Sequence, residues 1–426
     1  MKKILFVLAL CAAVLCACSK KEGAAVDPNA PVSLNVWCWD PTFNVFAMNE
    51  AGKIYNASHP NVSVNVIETP WNDLQQKLIT SLSANQTSTL PDIVLIQDNA
   101  VQKNVMNFPK AFYPINGKID VKQFAPFKVD VGLYEGKNYS IPFDNGTTAS
   151  FLRSDVLEKA GLKASDFKDI SWERFIELGK TVKEKTGVAL VSTVANEPDY
   201  IMIMLQSAGT WFFTPDGKVN LKNNAVLKKS MELFAEMVKS GVCILVTDWN
   251  AYIATLNNGS AAGTIQGCWI LGSIMSEKSQ AGKWTMTNTP KFSDIDSVNY
   301  SNQGGSSWLI LSSSKNREIA LDFMNATFAG STDLYNTILP SSGAIGTWLP
   351  AAEAPAYGAP NDFFGGQKIY EELVDYASKT PLVKYGAYNY EARDAVARAL
   401  SDYLGGMALD TALETAQKNV EFLMGE

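Results

Sequence analysis

Short apolar runs alternate with amphipathic segments along the first hundred residues of the chain. Residues 32–39 and 61–68 alternate polar and apolar side chains and are rich in β-forming residues, which predicts two strands. Residues 92–96 form a continuous apolar run, as expected of a strand buried on both faces of a parallel sheet. Leucines repeat every four residues within the segment 73–84, which predicts a helix. This order of strands and helices predicts an α/β domain with parallel crossovers.

The rest of the chain continues this mixture of strands and helices. Apolar periodicity predicts further strands at 148–153 and 189–193. It also predicts helices at 154–160, 171–186, 226–238, 316–328, 364–378, 391–404 and 408–423. The sequence shows no internal repeat.

Polar and aromatic residues follow two of the first three predicted strands. Trp39 and Asp40 come at the end of the first, and Gln97 and Asp98 follow the third. In open α/β sheets, ligands bind beyond the carboxyl ends of the strands, so we expect these four residues at a binding site. Asp98 could instead cap the helix that follows it.

Residues 139–155 combine two extended runs with a polar kink. Pro142 interrupts the first run, and a proline is placed at strand starts or edges because it cannot donate to a ladder. Asp144 and Asn145 then begin a segment that favours a turn, and the chain resumes as the strand at 148–153. The pattern predicts either a crossing between two lobes or an ordinary hairpin. In the first case, Asp144 and Asn145 lie at the bottom of a groove.

The N-terminus has the pattern of an export signal. Two lysines precede an apolar run at 4–15 that is too short to span a bilayer, and we assign residues 1–17 to the signal. The run ends in Leu-Cys-Ala-Cys, which resembles a lipobox and makes Cys18 the lipidated residue; a plain signal peptide is the alternative. Residues 18–31 are small, polar or proline and predict a flexible tether. Such an anchor would hold the protein at a membrane surface of the cell envelope.

Length and charge narrow the possible classes of protein. A chain of 426 residues is too long for one core of ordinary size, so we expect two domains. Its 46% hydrophobic and 19% charged residues are typical of a folded globular protein. The formal net charge of −7 disfavours a nucleic-acid partner, which requires a basic surface.

Cysteine and histidine usage limits the chemistry. Once the leader and Cys18 are set aside, Cys38, Cys243 and Cys268 remain, and none lies at metal-ligand spacing. The chain has a single histidine, His59, so the usual histidine-rich zinc sites are excluded, and His59 itself is predicted to lie in an exposed turn. We therefore expect no metal and no cofactor.

Several motifs resemble one protein family. The segment YSIPFDNGTTASFLRSDVLEKAGL resembles the first hinge crossing of family 1 extracellular solute-binding proteins, the sugar-capturing subunits of bacterial ABC importers. PDIVLIQD and GGSSWLILSSSKNREIALDFMNATF resemble further segments, so the likeness covers nearly the whole chain. It implies a two-lobed periplasmic-binding-protein fold of type II, in which each lobe is a sheet flanked by helices. Hinge strands would join the lobes, with a ligand cleft between them.

The resemblance also implies lobe boundaries. Residues 32–143 with 308–345 would form the first lobe, and residues 144–307 with 346–426 the second. Gly305 and Ser306 would lie on the return crossing, and the segment 339–350, which contains Trp348, would form a third connection.

Further ligand-binding residues follow from the resemblance. Glu197 and Tyr200 resemble a Glu-Pro-x-Tyr element that offers a carboxylate and an aromatic ring, although Asp199 is inserted between them, and Trp211 ends the same segment. Trp269 resembles a tryptophan that stacks on a sugar ring; burial in the core is the alternative.

Tryptophan and tyrosine beside carboxylates and amides favour a neutral carbohydrate, whose hydroxyls both donate and accept hydrogen bonds. An anion would require an arginine clamp, and we expect Arg153, near the hinge, to lie on a strand instead. The hypothesis is therefore capture of a carbohydrate, most simply an oligosaccharide, by closure of a monomeric, non-enzymatic protein. The closed form would deliver its cargo to the membrane subunits of an ABC permease.

Two other functions stay open. A secreted glycoside hydrolase would also present aromatic rings and paired carboxylates, here drawn from Asp40, Asp98, Asp144 and Glu197. An iron-binding member of the same fold could use a tyrosine cluster, namely Tyr385, Tyr388 and Tyr390.

Overall fold

The computed structural model describes residues 30–425. The predicted export signal and all but the last two residues of the predicted tether, including Cys18, lie outside this range. The described strands are β1 (Val32–Cys38), β2 (Val62–Glu68), β3 (Ile93–Gln97), β4 (Leu133–Tyr134), β5 (Lys137–Asn138), β6 (Ser140–Asp144), β7 (Thr148–Arg153), β8 (Val191–Val194), β9 (Cys243–Val246), β10 (Gly263–Gly267), β11 (Trp284–Thr287) and β12 (Ser306–Ile310).

Helices connect and cover these strands. They are α1 (Asn44–Asn56), α2 (Trp71–Ser83), α3 (Asp98–Asn107), α4 (Pro126–Val131), α5 (Ser154–Lys159), α6 (Trp172–Thr186), α7 (Asp199–Ser207), α8 (Ala225–Lys239), α9 (Trp249–Asn258), α10 (Leu271–Met275), α11 (Arg317–Ala326), α12 (Thr332–Ser342), α13 (Ile369–Ser378), α14 (Asn389–Leu404) and α15 (Leu409–Met424). The predicted helix 364–378 begins only at Ile369, because Gly365 and Gly366 both have positive φ angles.

The first lobe is built on a five-stranded sheet in the order β2-β1-β3-β12-β6. β1 runs parallel to β2 and β3, whereas β12 is antiparallel to both β3 and β6. The apolar run of β3 is fully buried from Ile93 to Ile96, which explains why it lacks the alternation of a half-exposed strand. The α/β prediction is confirmed for this part of the chain.

The second lobe contains two smaller sheets. β10, β7 and β11 form an antiparallel sheet, and β8 pairs in parallel with β9. A parallel bridge between Ala189 and Ala261 joins the two. Helices α6, α7 and α8 contribute Phe175, Tyr200 and Phe234, respectively, to the apolar core beside these strands.

The chain crosses between the lobes where the sequence predicted a hinge. β6 belongs to the first sheet and β7 to the second, so the segment 139–155 is a crossing rather than a hairpin. The return crossing lies beside it, because Gln303 N donates to Gly146 O at 2.8 Å. A Cβ atom on Gly146 would lie only 2.5 Å from the backbone oxygen of Gln303, so this close approach of the two crossings requires glycine. Asn145 N donates to Ile345 O at 2.9 Å, which places a third segment at the hinge. The exact lobe boundaries stay a prediction.

The described cysteines are all free and buried. His59 lies in a turn after α1, where its ring stacks on Tyr55 at 3.9 Å. Within residues 30–425, no helix is long and apolar enough to cross a membrane.

Candidate functional site

A cleft of about 980 Å³ lies between the two lobes. Its lining comes from the segments that follow β1, β3, β8, β9 and β10 and from the hinge crossings. Eight of the sequence-predicted site residues lie on its surface: Trp39, Asp40, Gln97, Asp144, Glu197, Trp269, Gly305 and Ser306. Three of the eight, Trp39, Asp40 and Gln97, were predicted from the rule that ligands bind beyond the carboxyl ends of strands, and the others came from the hinge pattern and the family resemblance.

Three other predicted residues are buried at or near the hinge. Asp98 is 2% exposed, forms an ion pair with Lys128, and accepts a hydrogen bond from Ser307 Oγ at 2.8 Å. Asn145 accepts from the backbone nitrogen of Thr147 at 2.9 Å and so fixes the turn. Trp348 is 7% exposed, and its Nε1 donates to Gln123 at 3.1 Å. None of the three lines the cleft, and their part in ligand binding stays a prediction.

Two predicted aromatic residues lie in the core of the second lobe. The Tyr200 hydroxyl accepts from Ile265 N at 3.2 Å, and Trp211 Nε1 donates to Asn389 Oδ1 at 2.7 Å. Both rings are 2% exposed. Each polar group is therefore satisfied by the protein itself, and contact with a ligand stays a prediction here as well.

The first-lobe wall of the cleft begins with a tightly bonded turn. Asp40 Oδ1 accepts from Thr42 N at 2.9 Å and from Phe43 N at 3.1 Å, which holds the segment between β1 and α1 in place. The Trp39 ring contacts Trp71 edge-on with centroids 5.0 Å apart. The two indoles fix each other and leave Trp39 on the cleft surface.

The second-lobe wall carries a second pair of indoles. Trp269 and Trp249 lie 5.6 Å apart at 41°, and Trp249 is 45% exposed. Trp269 Nε1 donates to Gln303 O at 2.8 Å, and the ring lies so close to Gly267 that a Cβ there would be 2.2 Å from Nε1. The proposed stacking surface is thus wider than the sequence predicted, because Trp249 adds a second ring.

Carboxylates from the loop after β8 and from the start of α7 lie beside these rings. Glu197 forms an ion pair with Arg393, a residue of α14. Asp199 accepts from Gln266 Nε2 at 2.9 Å and from Gln303 Nε2 at 2.7 Å. Burial raises the pKa of both Glu197 and Asp199 above the ordinary values, although the positive charge of Arg393 opposes the shift.

The floor of the cleft is formed at the hinge. Asp144 accepts a hydrogen bond from Ser306 Oγ, and burial raises its pKa above the ordinary value, with the Lys128 ammonium opposing the shift. Burial lowers the pKa of Lys128 to about 8, while the Asp144 charge acts in the opposite direction. A buried ammonium group therefore lies behind the carboxylates of the floor.

Sequence reasoning missed two prominent residues of the cleft. Trp249 follows β9, and the strand-end rule applied to β9 would have found it. Arg393 lies on α14, 196 residues from its partner Glu197, and no local pattern connects the two. Arg153 lies on β7 as expected, paired with Asp155.

The tyrosines considered for iron binding make other contacts. The Tyr390 hydroxyl donates to Gln97 Oε1 at 2.6 Å, and the Tyr385 hydroxyl accepts from Asn302 at 3.4 Å. Among residues 30–425, no group of three or more His, Cys, Asp or Glu side chains is arranged to hold a metal ion.

Two lobes joined by crossing strands, with a cleft lined from both sides, define the class of two-lobed binding proteins. The chain belongs to the bacterial extracellular solute-binding proteins, whose family pattern matches residues 50–359. It is 40% identical to the lactose-binding protein of Rhizobium radiobacter over 384 residues, which is 90% of this chain and 91% of the relative. It is 23% identical to the arabinooligosaccharide-binding protein of Bacillus subtilis (strain 168), over 75% of this chain and 74% of that protein.

Solved structures show the same fold. The GacH receptor of Streptomyces glaucescens GLA.O, studied unliganded and with acarbose, has a TM-score of 0.77 and 18% identity, covering 93% of this chain and 99% of that one. The ABC transporter associated binding protein of B. animalis subsp. lactis Bl-04 in complex with β-1,6-galactobiose has a TM-score of 0.74 and 21% identity, covering 92% and 97%. The family and the two-lobed fold predicted from the sequence are confirmed.

Proposed function

We propose that the protein is the substrate-binding subunit of an ABC importer and that it captures a short galactose-containing sugar such as lactose. The observation that carries this proposal is the cleft itself, which has indole rings on both walls and carboxylates between them. Trp39 lies on the first wall, and Trp249 and Trp269 lie on the second. The relative that is 40% identical over 90% of the chain supports the choice of lactose.

The chemistry of the cleft suits a neutral sugar. The C–H face of a sugar ring packs on an indole plane, while its hydroxyls donate to carboxylates such as Asp40 and Glu197. Both walls must approach the ligand for these contacts to form together, so binding favours the closed arrangement of the lobes.

The charges of the cleft disfavour an anionic ligand. Arg393 is the one cationic side chain on the described lining, and it is paired with Glu197. The remaining acidic side chains on the lining are Asp40, Asp144, Asp199 and Asp248. An anionic sugar would meet this surplus of carboxylates at short range, where repulsion is strong.

The cellular setting belongs to the same proposal. Export through the signal at 1–17 and lipidation at Cys18 would place the protein on the cell envelope, where a permease could accept the loaded form. The family is one of extracellular proteins, which supports export. We propose a monomer that needs no cofactor and performs no catalysis.

Binding and thermal melting with lactose, β-1,6-galactobiose, arabinooligosaccharides and maltose test the proposal. A ligand at about 100 times its Kd adds roughly 2.7 kcal/mol to the free energy of unfolding, which raises the melting temperature clearly. We expect this shift with lactose, and we expect lactose to be recovered intact. Breakdown of lactose would favour the hydrolase alternative, and a response to ferric ion alone would favour the iron-binding one.

The Trp249→Ala variant provides the matched mutation. Because Trp249 is 45% exposed, its removal leaves the core intact, yet it removes one of the two indole rings on the second wall of the cleft. We expect a loss of lactose affinity of roughly tenfold or more. The control is Phe422→Ala, which removes an aromatic ring that is 79% exposed and lies away from the cleft lining. Equal affinities in both variants would overturn the assignment of the cleft.

A further inference from the structure

The Asn44 amide has one group that the described chain leaves without a partner. Asn44 Oδ1 accepts from the backbone nitrogens of Trp39 and Asp40, both at 3.0 Å, so the orientation of the amide is fixed. Nδ2 is therefore the donor end of the amide, and it is buried and has no hydrogen-bond partner within residues 30–425. The side chain is fully buried yet lines the cleft. Such an orphaned donor is costly unless a ligand completes it.

The Gln303 amide shows the opposite case on the return crossing. Its Nε2 donates to Asp199 Oδ1 at 2.7 Å, which fixes the amide and leaves Oε1 as the free end. Oε1 is buried and has no partner among the described residues, and the side chain is 8% exposed on the cleft surface. The main chain of Gln303 is held as well, by Gly146 and by the Trp269 indole. This acceptor is therefore rigidly placed.

We infer that Asn44 and Gln303 are specificity-determining residues that recognise two oxygens of the bound sugar in opposite senses. Asn44 Nδ2 donates to a ligand oxygen, and Gln303 Oε1 accepts from a ligand hydroxyl. This inference rests on the proposed function, because a hydroxyl-rich ligand supplies both kinds of partner. A ligand that lacks the second hydroxyl leaves Gln303 Oε1 buried and unpaired, which is how a polar site rejects the wrong solute.

Lactose analogues in which one hydroxyl at a time is replaced by fluorine test the Gln303 assignment, because a C–F group cannot donate a hydrogen bond. We expect at least one analogue, the one that loses the hydroxyl facing Gln303, to bind the wild-type protein about tenfold more weakly than lactose does. The Gln303→Met variant should bind lactose itself more weakly by a similar factor. It should bind that analogue no more weakly than it binds lactose. The coupling between the residue and one hydroxyl is the measured quantity.

Gln266→Met is the matched control for this variant. Gln266 supports the other oxygen of Asp199 at 2.9 Å, but its own carbonyl is already used by Gly267 N at 3.0 Å. The control therefore weakens the Asp199 network without removing an orphaned acceptor, and it should retain the wild-type pattern of fluorine sensitivity. If Gln303→Met also retains that pattern, the assignment of Gln303 is overturned.

Asn44→Asp tests the other residue with an isosteric change. The aspartate keeps an oxygen for the nitrogens of Trp39 and Asp40 but replaces the Nδ2 donor by an acceptor. The facing ligand hydroxyl must then reverse its role and donate. We therefore expect one fluorinated analogue to bind the wild type nearly as well as lactose does, yet to bind Asn44→Asp about tenfold more weakly than lactose binds that variant.

The possible failures can be told apart. Identical rankings of the analogues by wild type and Asn44→Asp would overturn the role of Asn44, even if overall affinity fell for electrostatic reasons. Failure of the wild type to bind lactose at all would instead overturn the proposed ligand, and this inference with it.

Discussion

At the scale of single residues, the hinge region contains a buried ion pair between Lys128 and Asp98. Both side chains are at most 2% exposed, and Ser307 Oγ also donates to Asp98. Removing one charge leaves the other buried without compensation, whereas removing both need not destabilise the fold. We expect Lys128→Met to lower the free energy of unfolding by about 3–5 kcal/mol in urea denaturation at pH 6.

The double variant Asp98→Asn, Lys128→Met separates the charge from the packing. If the loss comes from the unpaired carboxylate, we expect the double variant to regain at least half of it. A double variant as unstable as Lys128→Met alone would mean that the loss comes from Asp144, whose charge the ammonium also stabilises, or from the packing of the Lys128 stem, rather than from Asp98. The matched control is Lys180→Met, which makes the same substitution in an exposed ion pair. The Lys180–Glu236 pair is about half exposed at both ends and should contribute little to the free energy of unfolding.

At the scale of elements, the return crossing into β12 depends on Gly305. Its φ angle is +95°, and a Cβ atom there would lie 2.5 Å from Lys128 Nζ and 2.7 Å from Asp98 Oδ2. Gly305→Ala therefore adds both backbone strain and a collision with the buried pair. We expect a loss of about 1–3 kcal/mol from the strained backbone alone, and a larger total loss, measured by thermal or urea unfolding.

Gly217 offers a matched control for this prediction. Its φ angle is +86°, but a Cβ atom there would meet nothing within 4 Å. Gly217→Ala thus reports the strain without the collision. If Gly305→Ala and Gly217→Ala lose the same stability, the collision of the new Cβ with the buried Lys128–Asp98 pair costs nothing, and the hinge accommodates more volume than the structure indicates.

The elements also show what the sequence could and could not predict. The strand ends were predictable, because alternation and apolar runs locate the strands and ligands collect beyond their carboxyl ends. Trp39 and Gln97 were found in this way, and both lie on the cleft. The directions of side chains around helices and turns are set by tertiary packing, so Trp211 lies in the core and Arg393, far away in sequence, lies in the cleft.

At the scale of the whole molecule, the lobes meet along α3 and α14 as well as at the hinge. Lys103 on α3 forms an ion pair with Glu391 on α14, and both side chains are partly exposed. Next to it, Tyr390 donates to Gln97 at 2.6 Å, and Gly386 N donates to Gln102 at 3.0 Å. These contacts join the two lobes directly, so they favour the arrangement in which the walls of the cleft face each other.

Loosening this contact should therefore weaken ligand binding without touching the ligand. Neither Lys103 nor Glu391 lines the cleft. In Lys103→Met we expect lactose to dissociate roughly twofold to fivefold faster, the range that corresponds to the modest energy of a partly exposed ion pair. Stopped-flow tryptophan fluorescence would report the rate, because indoles line both walls.

The same Lys180→Met variant serves as the control for dissociation, because its ion pair joins α6 to α8 within one lobe. A rate in Lys103→Met no faster than in the control would show that the α3–α14 contact persists when the ligand leaves. Closure would then be governed by the hinge crossings and the ligand alone. If the dissociation rate of Lys103→Met returned to the wild-type value at low ionic strength, the loss of this ion pair could not be the cause of the faster rate. Lowering the salt concentration strengthens only interactions between charges that are present, and the variant lacks the lysine charge.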